Sequence, residues 1–189
     1  MAQWTLNAGH YMRPYKASKG SAQLRNIQCS TCAATATITA GQVVTNNTVV
    51  ATGGFQIVRA PSSGGTGANL LEVAITSLIG IAAEADASSG STAGLGVKTN
   101  RTIPVYIADA QTEFLGWCKG NGVVESTMIG AQKAIIFDST LKTYFIDSTN
   151  STAALMAVTV TDIPEYSLGS TQGPVVFKFL SSMVSPVVR

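Results

Sequence analysis

Charged side chains are scarce in this sequence. Asp, Glu, Lys and Arg make up 12% of the 189 residues, whereas about 25% is usual for a globular domain. Hydrophobic residues make up 46%, so the chain can bury a core. Long disorder is excluded, because disordered chains are rich in charge and poor in apolar residues. A surface with so few charges is suited to packing against other proteins.

Histidine and cysteine are also rare, which argues against catalysis and metal binding. The single histidine is His10, and the three cysteines are Cys29, Cys32 and Cys118. Cys29 and Cys32 form a C-x-x-C pair, but a zinc site needs two more ligands and a redox pair is expected to open a helix. An odd number of cysteines disfavours a closed disulfide framework and fits synthesis in a reducing cytoplasm. We predict no catalytic residue, no cofactor and no metal site.

Long apolar runs are missing as well. A span of a bilayer needs about 18 apolar residues in a row, and the richest stretch, residues 70–85, is interrupted by Glu72 and Glu84. Residues 1–22 contain basic residues and lack the apolar centre of a secretory signal. We therefore expect no membrane segment and no secretion.

The few charges are unevenly distributed. Residues 1–71 contain five basic residues and no acidic one, whereas residues 72–189 contain seven basic and ten acidic residues. Residues 1–33 show no regular hydrophobic period, so we predict an extended N-terminal arm that holds a partner through aromatic and basic side chains. The interface candidates are Trp4, Tyr11, Arg13, Tyr15, Lys16, Lys19 and Arg25.

A nucleic-acid partner is not predicted. Five scattered basic residues are too few for a phosphate track, which relies on many contacts, and the remainder of the chain is net acidic. Tyr106 and Trp117 have rings that can stack on bases, but packing in the core is the preferred interpretation.

Residues 34–189 have the composition of a β-rich domain. Short β-branched and aromatic stretches alternate with loops that contain Gly, Asn, Asp or Ser, a pattern typical of a small barrel or sandwich. We predict an all-β fold, a compact antiparallel β-barrel or sandwich with the extended N-terminal arm. The predicted strands cover residues 34–40, 55–60, 103–108, 113–119, 134–137, 143–146, 155–160, 175–180 and 183–188.

Two further segments require a choice of conformation. Residues 42–52 contain two Val pairs around Asn46–Asn47, which predicts a hairpin with the Asn pair in its turn. Residues 70–83 have an apolar spacing that permits a helix, but their β-branched residues favour a strand. We predict the strand.

Carboxylates are the remaining source of enzyme chemistry. Asp109 and Glu113 lie on either side of a predicted turn, whereas a glycosidase needs two carboxylates facing each other across a cleft. Asp147 and Asp162 lack the clustered spacing of a calcium loop, and the Gly-rich residues 64–67 lack the Gly-Lys-Ser/Thr ending of a phosphate loop. A carboxylate hydrolase is therefore the least favoured function.

Three pieces of residues 70–119 form a distinctive series. They are LIGIAAE at Leu78–Glu84, a Gly/Ser/Thr-rich loop at Ser88–Gly96, and IPVYIADAQTEF at Ile103–Phe114. This series, within about a quarter of the chain, resembles the small structural proteins of marine and environmental tailed bacteriophages.

The resemblance implies a capsid decoration, or cement, protein. Such a protein binds the major capsid protein on the outer surface of the virion and bridges neighbouring capsomers. It does so as a homo-oligomer, with a trimer favoured and a dimer possible, and linked copies gain avidity because later contacts are intramolecular. The resemblance implies no catalytic residue.

Two other function classes stay open. One is another virion subunit, from a tail tube, a connector or a head fibre. The other is a β-rich module that binds carbohydrate or a cell surface.

Overall fold

Short stretches of β-branched and aromatic residues form the regular structure, because their side chains pack well on a pleated surface. The computed structural model describes residues 11–17, 22–28, 38–47, 56–59, 70–73, 77–84, 102–109, 111–120, 122–149 and 156–184. These ranges contain twelve strands and two 3₁₀ turns, at Ser126–Met128 and Glu165–Ser167. The predicted all-β class is confirmed.

The strands are short and follow one another closely along the chain. In chain order they are β1 (Arg13–Lys16), β2 (Leu24–Gln28), β3 (Val43–Asn47), β4 (Gln56–Arg59), β5 (Leu70–Glu72), β6 (Leu78–Ala82), β7 (Thr102–Ile107), β8 (Glu113–Lys119), β9 (Gln132–Asp138), β10 (Thr143–Asp147), β11 (Met156–Asp162) and β12 (Pro174–Phe179).

Five strands of the larger sheet close into a ring. The order β8–β10–β9–β11–β12 returns to β8, because β12 also pairs with β8. An odd number of strands cannot alternate in direction all the way round, so one contact must be parallel. That contact joins β8 to β10, with Cys118 opposite Ile146. The ring is thus a small barrel that is antiparallel except at one seam. Outside it, β1 pairs with the start of β8 and β5 with the end of β9.

The second sheet has five strands in the order β2–β7–β6–β3–β4, and every pairing in it is antiparallel. Its edge strands β2 and β4 approach within 8 Å between Cα atoms, so the sheet is strongly curved. At Gly80 a Cβ atom would lie 1.9 Å from the carbonyl oxygen of Tyr106. Only glycine allows β6 and β7 to come this close.

The larger of two hydrophobic clusters in the described residues extends through both sheets, and the smaller one is formed by Ile136 and Phe145 with Trp117 and Leu141 packed against them. Inward-facing side chains of the ring and of the second sheet belong to one contiguous cluster. In the ring, the centroid of Phe114 lies 5.9 Å from that of Phe177 and 5.3 Å from that of Phe179. Gly116 makes room for them, since a Cβ there would lie 2.7 Å from the Phe177 ring. Aromatic side chains therefore fill the interior of the ring.

A buried glutamine connects the two sheets. Gln42, only 1% exposed, donates from Nε2 to the carbonyl oxygen of Lys142 at 2.8 Å, and its Oε1 accepts from the Thr39 amide at 3.1 Å. Lys142 lies in the β9–β10 turn with φ of 56°, a left-handed conformation that costs energy for a residue with a side chain. The Gln42 bond stabilises this turn against β3 of the other sheet.

Two segments of the predicted N-terminal arm are strands of the folded body. Residues 13–16 pair with β8 and residues 24–28 pair with β7. These segments are extended as predicted, but their backbones are hydrogen-bonded to the sheets. Residues 1–10, 18–21 and 29–33 lie outside the described residues, and so does the predicted boundary at residue 33, which stays a prediction.

The predicted turn at Asn46–Asn47 is wrong. Both residues belong to β3, where Asn46 lies opposite Ile57 and Asn47 opposite Gln56 of β4. A weak strand propensity is overridden when a neighbouring strand satisfies the backbone. The hairpin predicted within residues 42–52 is therefore wrong as well: β3 pairs instead with β4, and the connection, residues 48–55, lies outside the described residues.

The strand prediction for residues 70–83 is confirmed where the structure describes it. Residues 70–72 form β5 and residues 78–82 form β6, and Ser77 precedes β6 with φ of 55°. Two predicted strands differ: residues 38–40 precede β3 without forming a strand, and Val184 makes only an isolated bridge to Leu78.

We expect Gln42→Leu to lower the free energy of unfolding by about 1–3 kcal/mol, because the variant leaves a buried amide and a buried carbonyl without their partner. Urea denaturation measures the change. Gln132→Leu is the matched control: Gln132 is exposed at the start of β9, so its replacement should stay within about 0.5 kcal/mol. Equal effects of the two variants would contradict the role of Gln42.

Candidate protein-interaction surface

Cys118 is a buried free thiol inside the ring. It lies on β8 at the parallel seam with β10 and is 0% exposed. Burial raises the pKa of the Cys118 thiol to about 12, with Lys133 lowering it and Asp147 raising it to smaller extents. A thiol is nucleophilic only as the thiolate, so Cys118 acts as a small core residue. Cys29 and Cys32 lie outside the described residues.

We expect Cys118 to resist a thiol reagent at mildly alkaline pH in the folded protein and to react fully in guanidinium, because the thiol is buried and protonated. The assay uses a Cys29→Ser/Cys32→Ser background, in which Cys118 is the remaining thiol. Ser126→Cys, at an exposed position of that background, is the control for rapid reaction. Native labelling of Cys118 at the control rate would contradict its burial.

Lys119 and Asp138 form the best-defined charged pair of the described residues. Lys119 Nζ donates to Asp138 Oδ2, and Asp138 is 1% exposed. Lys119 Nζ also lies 5.4 Å from the centroid of the Phe145 ring, a favourable position for a cation. Asp138 Oδ1 accepts from the amides of Thr140 and Leu141 at 2.8 and 2.9 Å. The pair fixes the start of the β9–β10 turn.

The pKa of Asp138 is lowered in the folded protein. Burial raises this pKa, but the hydrogen bonds from Lys119, Leu141 and Thr140 together lower it by more than burial raises it. A carboxylate whose folded pKa lies below its unfolded value stabilises the fold above the unfolded pKa. That stabilisation is lost as the pH falls through the folded pKa.

We expect Asp138→Asn to lower the free energy of unfolding at neutral pH by about 1.5–3 kcal/mol, because the bond to Lys119 loses its charge. Below about pH 4, the unfolded pKa of an aspartate, the wild type should lose more stability than the variant. Urea denaturation at neutral and acid pH measures both. Asp109→Asn, which also removes one carboxylate from a turn, is the control. If the free energy of unfolding of the wild type and of Asp138→Asn depends on acid pH in the same way, the lowered pKa of Asp138 is contradicted.

The other carboxylates singled out in the sequence support turns or pair with lysine. Asp109 Oδ1 accepts from the amides of Gln111 and Thr112, which confirms the predicted turn between β7 and β8. Asp147 Oδ1 accepts from the amide and hydroxyl of Thr149. Glu113 lies 3.8 Å from Lys178 Nζ.

Neither a metal site nor a membrane span is found in the part of the chain that the structure describes. No group of three or more His, Cys, Asp or Glu side chains in these ranges is placed to hold a metal ion. No helix in the same ranges is long and apolar enough to cross a membrane.

A groove of about 580 Å³ lies on the outer face of the larger sheet. Strand register explains its floor. Arg13 lies opposite Leu115, Leu115 opposite Val176, and Val176 opposite Asp162. Paired residues point to the same face of a sheet, and neighbouring strands are about 4.8 Å apart, so the backbones of Arg13 and Asp162 are separated by roughly 14 Å measured along the curved sheet, at opposite ends of this row.

The groove has two walls of similar chemistry. Wall one is Arg13–Pro14–Tyr15 on β1, and wall two is Asp162, Pro164 and Tyr166 at the end of β11 and in the 3₁₀ turn; Leu115 lies between them. Tyr15 is 56% exposed and Tyr166 is 61% exposed. Exposed tyrosine and arginine are the residue types that most often anchor protein interfaces.

The edge of β1 is unsuited to the addition of another strand. Pro14 has no amide hydrogen, and the register between β1 and β8 shifts between Pro14 and Lys16. Proline, charge and irregularity on an edge strand all discourage edge-to-edge pairing. A partner at this surface would therefore be contacted by side chains.

The predicted interface residues do not form one surface. Arg13 and Tyr15 line the groove, and Lys16 ends the same strand. Tyr11 packs over Gly41, whereas Arg25 lies exposed on β2 of the second sheet. Trp4 and Lys19 lie outside the described residues.

Wall two was missed in the sequence. Its signal is the stretch Asp162-Ile-Pro-Glu-Tyr166, in which a proline and a tyrosine follow directly on a strand and precede Gly169. A proline after a strand marks a turn on the surface, where a tyrosine is readily exposed. The position of wall two beside β1 depends on the register of the strands, which no local stretch of the sequence indicates.

Comparison with known protein families, with curated proteins and with solved structures gives no match for this chain.

Proposed function

We propose that this chain is a non-enzymatic capsid decoration protein of a tailed bacteriophage, which binds the major capsid protein on the outside of the shell and stabilises the head as a homo-oligomer. The observation that carries the proposal is the pair of exposed basic side chains outside the groove, Lys16 and Arg25, displayed on strands β1 and β2. These residues are held by pairing to β7 and β8, so their presentation is rigid.

The distribution of charge supports a protein partner. The chain is 12% charged, and acids such as Asp138 and Asp109 are engaged in supporting turns. Lys16 and Arg25 are therefore prominent positive groups on a weakly charged surface. An acidic protein surface is the complementary partner, since charge complementarity steers association and fixes register.

The resemblance to phage structural proteins supports the choice of a capsid as that partner. Two of its three pieces, Leu78–Glu84 and Ile103–Phe114, include β6, β7 and the start of β8, where the second sheet passes into the ring. The third piece, residues 88–96, lies outside the described residues. The region that resembles phage structural proteins thus includes the strands at which the chain passes from one sheet to the other.

We expect the purified chain to co-sediment with expanded phage heads that lack it, and Lys16→Glu/Arg25→Glu to bind about tenfold or more weakly, because two attractive charges become repulsive. Lys142→Glu, at an exposed lysine in the β9–β10 turn outside the predicted arm, makes the same two-unit change of charge as Lys16→Glu or Arg25→Glu alone and is the matched control for these single variants. Titration in sedimentation assays, repeated at raised salt, measures the affinities.

Each alternative result has a clear meaning. Failure of the wild-type chain to bind any expanded head would overturn the proposed function. An equal loss in Lys142→Glu would show that total charge, and not the arm, governs binding.

A further inference from the structure

We propose that the groove is the contact between two copies of this chain, which pair about a two-fold axis so that wall one of each copy meets wall two of the other. The inference deepens the homo-oligomer part of the proposed function, on which it rests, by naming the surface through which two copies pair. It concerns the chain alone in solution and is tested without capsids.

The two walls have matching composition and opposite charge. Wall one presents, in chain order, an arginine, a proline and a tyrosine, and wall two presents an aspartate, a proline and a tyrosine. A two-fold contact brings each patch against itself, so every charge must find its opposite after a rotation of 180°. Arg13 of one copy then faces Asp162 of the second, and the reverse pair forms at the same time.

The separation of the two charges favours a second copy as the occupant. Arg13 and Asp162 lie at the ends of a four-strand row, and their backbones are separated by roughly 14 Å measured along the curved sheet. One contact therefore includes two oppositely charged pairs at either side of an apolar centre. An acidic or a basic partner would match one end of the row and repel the other.

The exposed tyrosines supply the apolar part of the contact. Tyr15 and Tyr166 project from opposite walls and are more than half exposed. In the two-fold arrangement each ring enters the groove of the other copy. Rigid aromatic side chains bury a large area at a low cost in conformational entropy, and they anchor interfaces when charged groups surround them.

The irregular edge of β1 is consistent with this mode of pairing. Pro14 and the register shift beside it discourage a continuous sheet between copies. The contact thus depends on side chains, and single substitutions at Arg13 and Asp162 should control it.

The test is sedimentation equilibrium of the full chain over a range of concentrations, with Arg13→Asp and Asp162→Arg alone and mixed. The wild type should form a dimer, and each single variant should have a dissociation constant raised about tenfold or more, because both charge pairs become repulsive. An equimolar mixture of the two variants should recover the dimer. In the mixed pair, the carboxylate introduced at position 13 of one copy faces the guanidinium introduced at position 162 of the other, and the native pair forms at the second site.

Recovery on mixing distinguishes a contact between copies from a defect within one chain, because mixing cannot repair such a defect.

Asp162 Oδ1 also accepts from the Ile163 amide at 2.8 Å. If Asp162→Arg does not fold, Asp162→Asn replaces it, because the asparagine keeps this acceptor and lacks the charge. Tyr166→Ala should weaken the dimer and Ile129→Ala, an exposed residue outside the groove, should not.

A monomeric wild type at all concentrations would overturn the inference, as would a groove occupied by a peptide or a sugar in a chain that stays monomeric. A wild-type oligomer that Arg13→Asp and Tyr166→Ala leave unchanged would also overturn it. Binding to the shell is measured separately with expanded heads, so it can succeed or fail independently of each of these outcomes.

Discussion

Closure of the ring through β8 is the constraint on which the rest of the structure depends. Both edges of this strand are occupied: β12 pairs along one, and β1 and β10 share the other. Because five strands cannot alternate in direction around a closed ring, the seam with β10 is parallel, and its residues Cys118 and Ile146 are fully buried. The same register aligns β1, β8, β12 and β11 on the outside and so creates the groove.

Scarce charges are used in this fold mainly to stabilise turns. Asp109, Asp138 and Asp147 each accept a backbone amide two residues further on, at the corner after β7, the β9–β10 turn and the end of β10. Each carboxylate satisfies backbone donors that a tight turn leaves without partners. Asp109 and Asp147, two of the acids singled out in the sequence, therefore support turns.

Local pattern was sufficient to predict β4 and the strands from β7 onwards, but it did not predict β1 and β2, which lie in the predicted arm, or the arrangement of the strands. The bounds of β8 match the predicted residues 113–119, and β7, β9, β10, β11 and β12 differ by only a few residues, because β-branched and aromatic stretches report strand formation directly. The turn at Asn46–Asn47 failed since pairing with β4 outweighed the turn preference of asparagine. Tyr15 and Arg13 were expected at an interface, whereas Tyr166 and Asp162 were not, because only long-range register brings the two walls together.

The pairing of β12 with β8 determines when the ring can close during synthesis. All five strands of the second sheet are present once residue 107 has left the ribosome, whereas the ring lacks its last member until Phe179 follows. Up to that moment β8 and β11 have no partner along the edges that β12 will occupy, and the Phe114 ring lacks its neighbours Phe177 and Phe179. During synthesis the chain therefore has all strands of the second sheet while the ring is still incomplete, and the six residues of β12 close the ring.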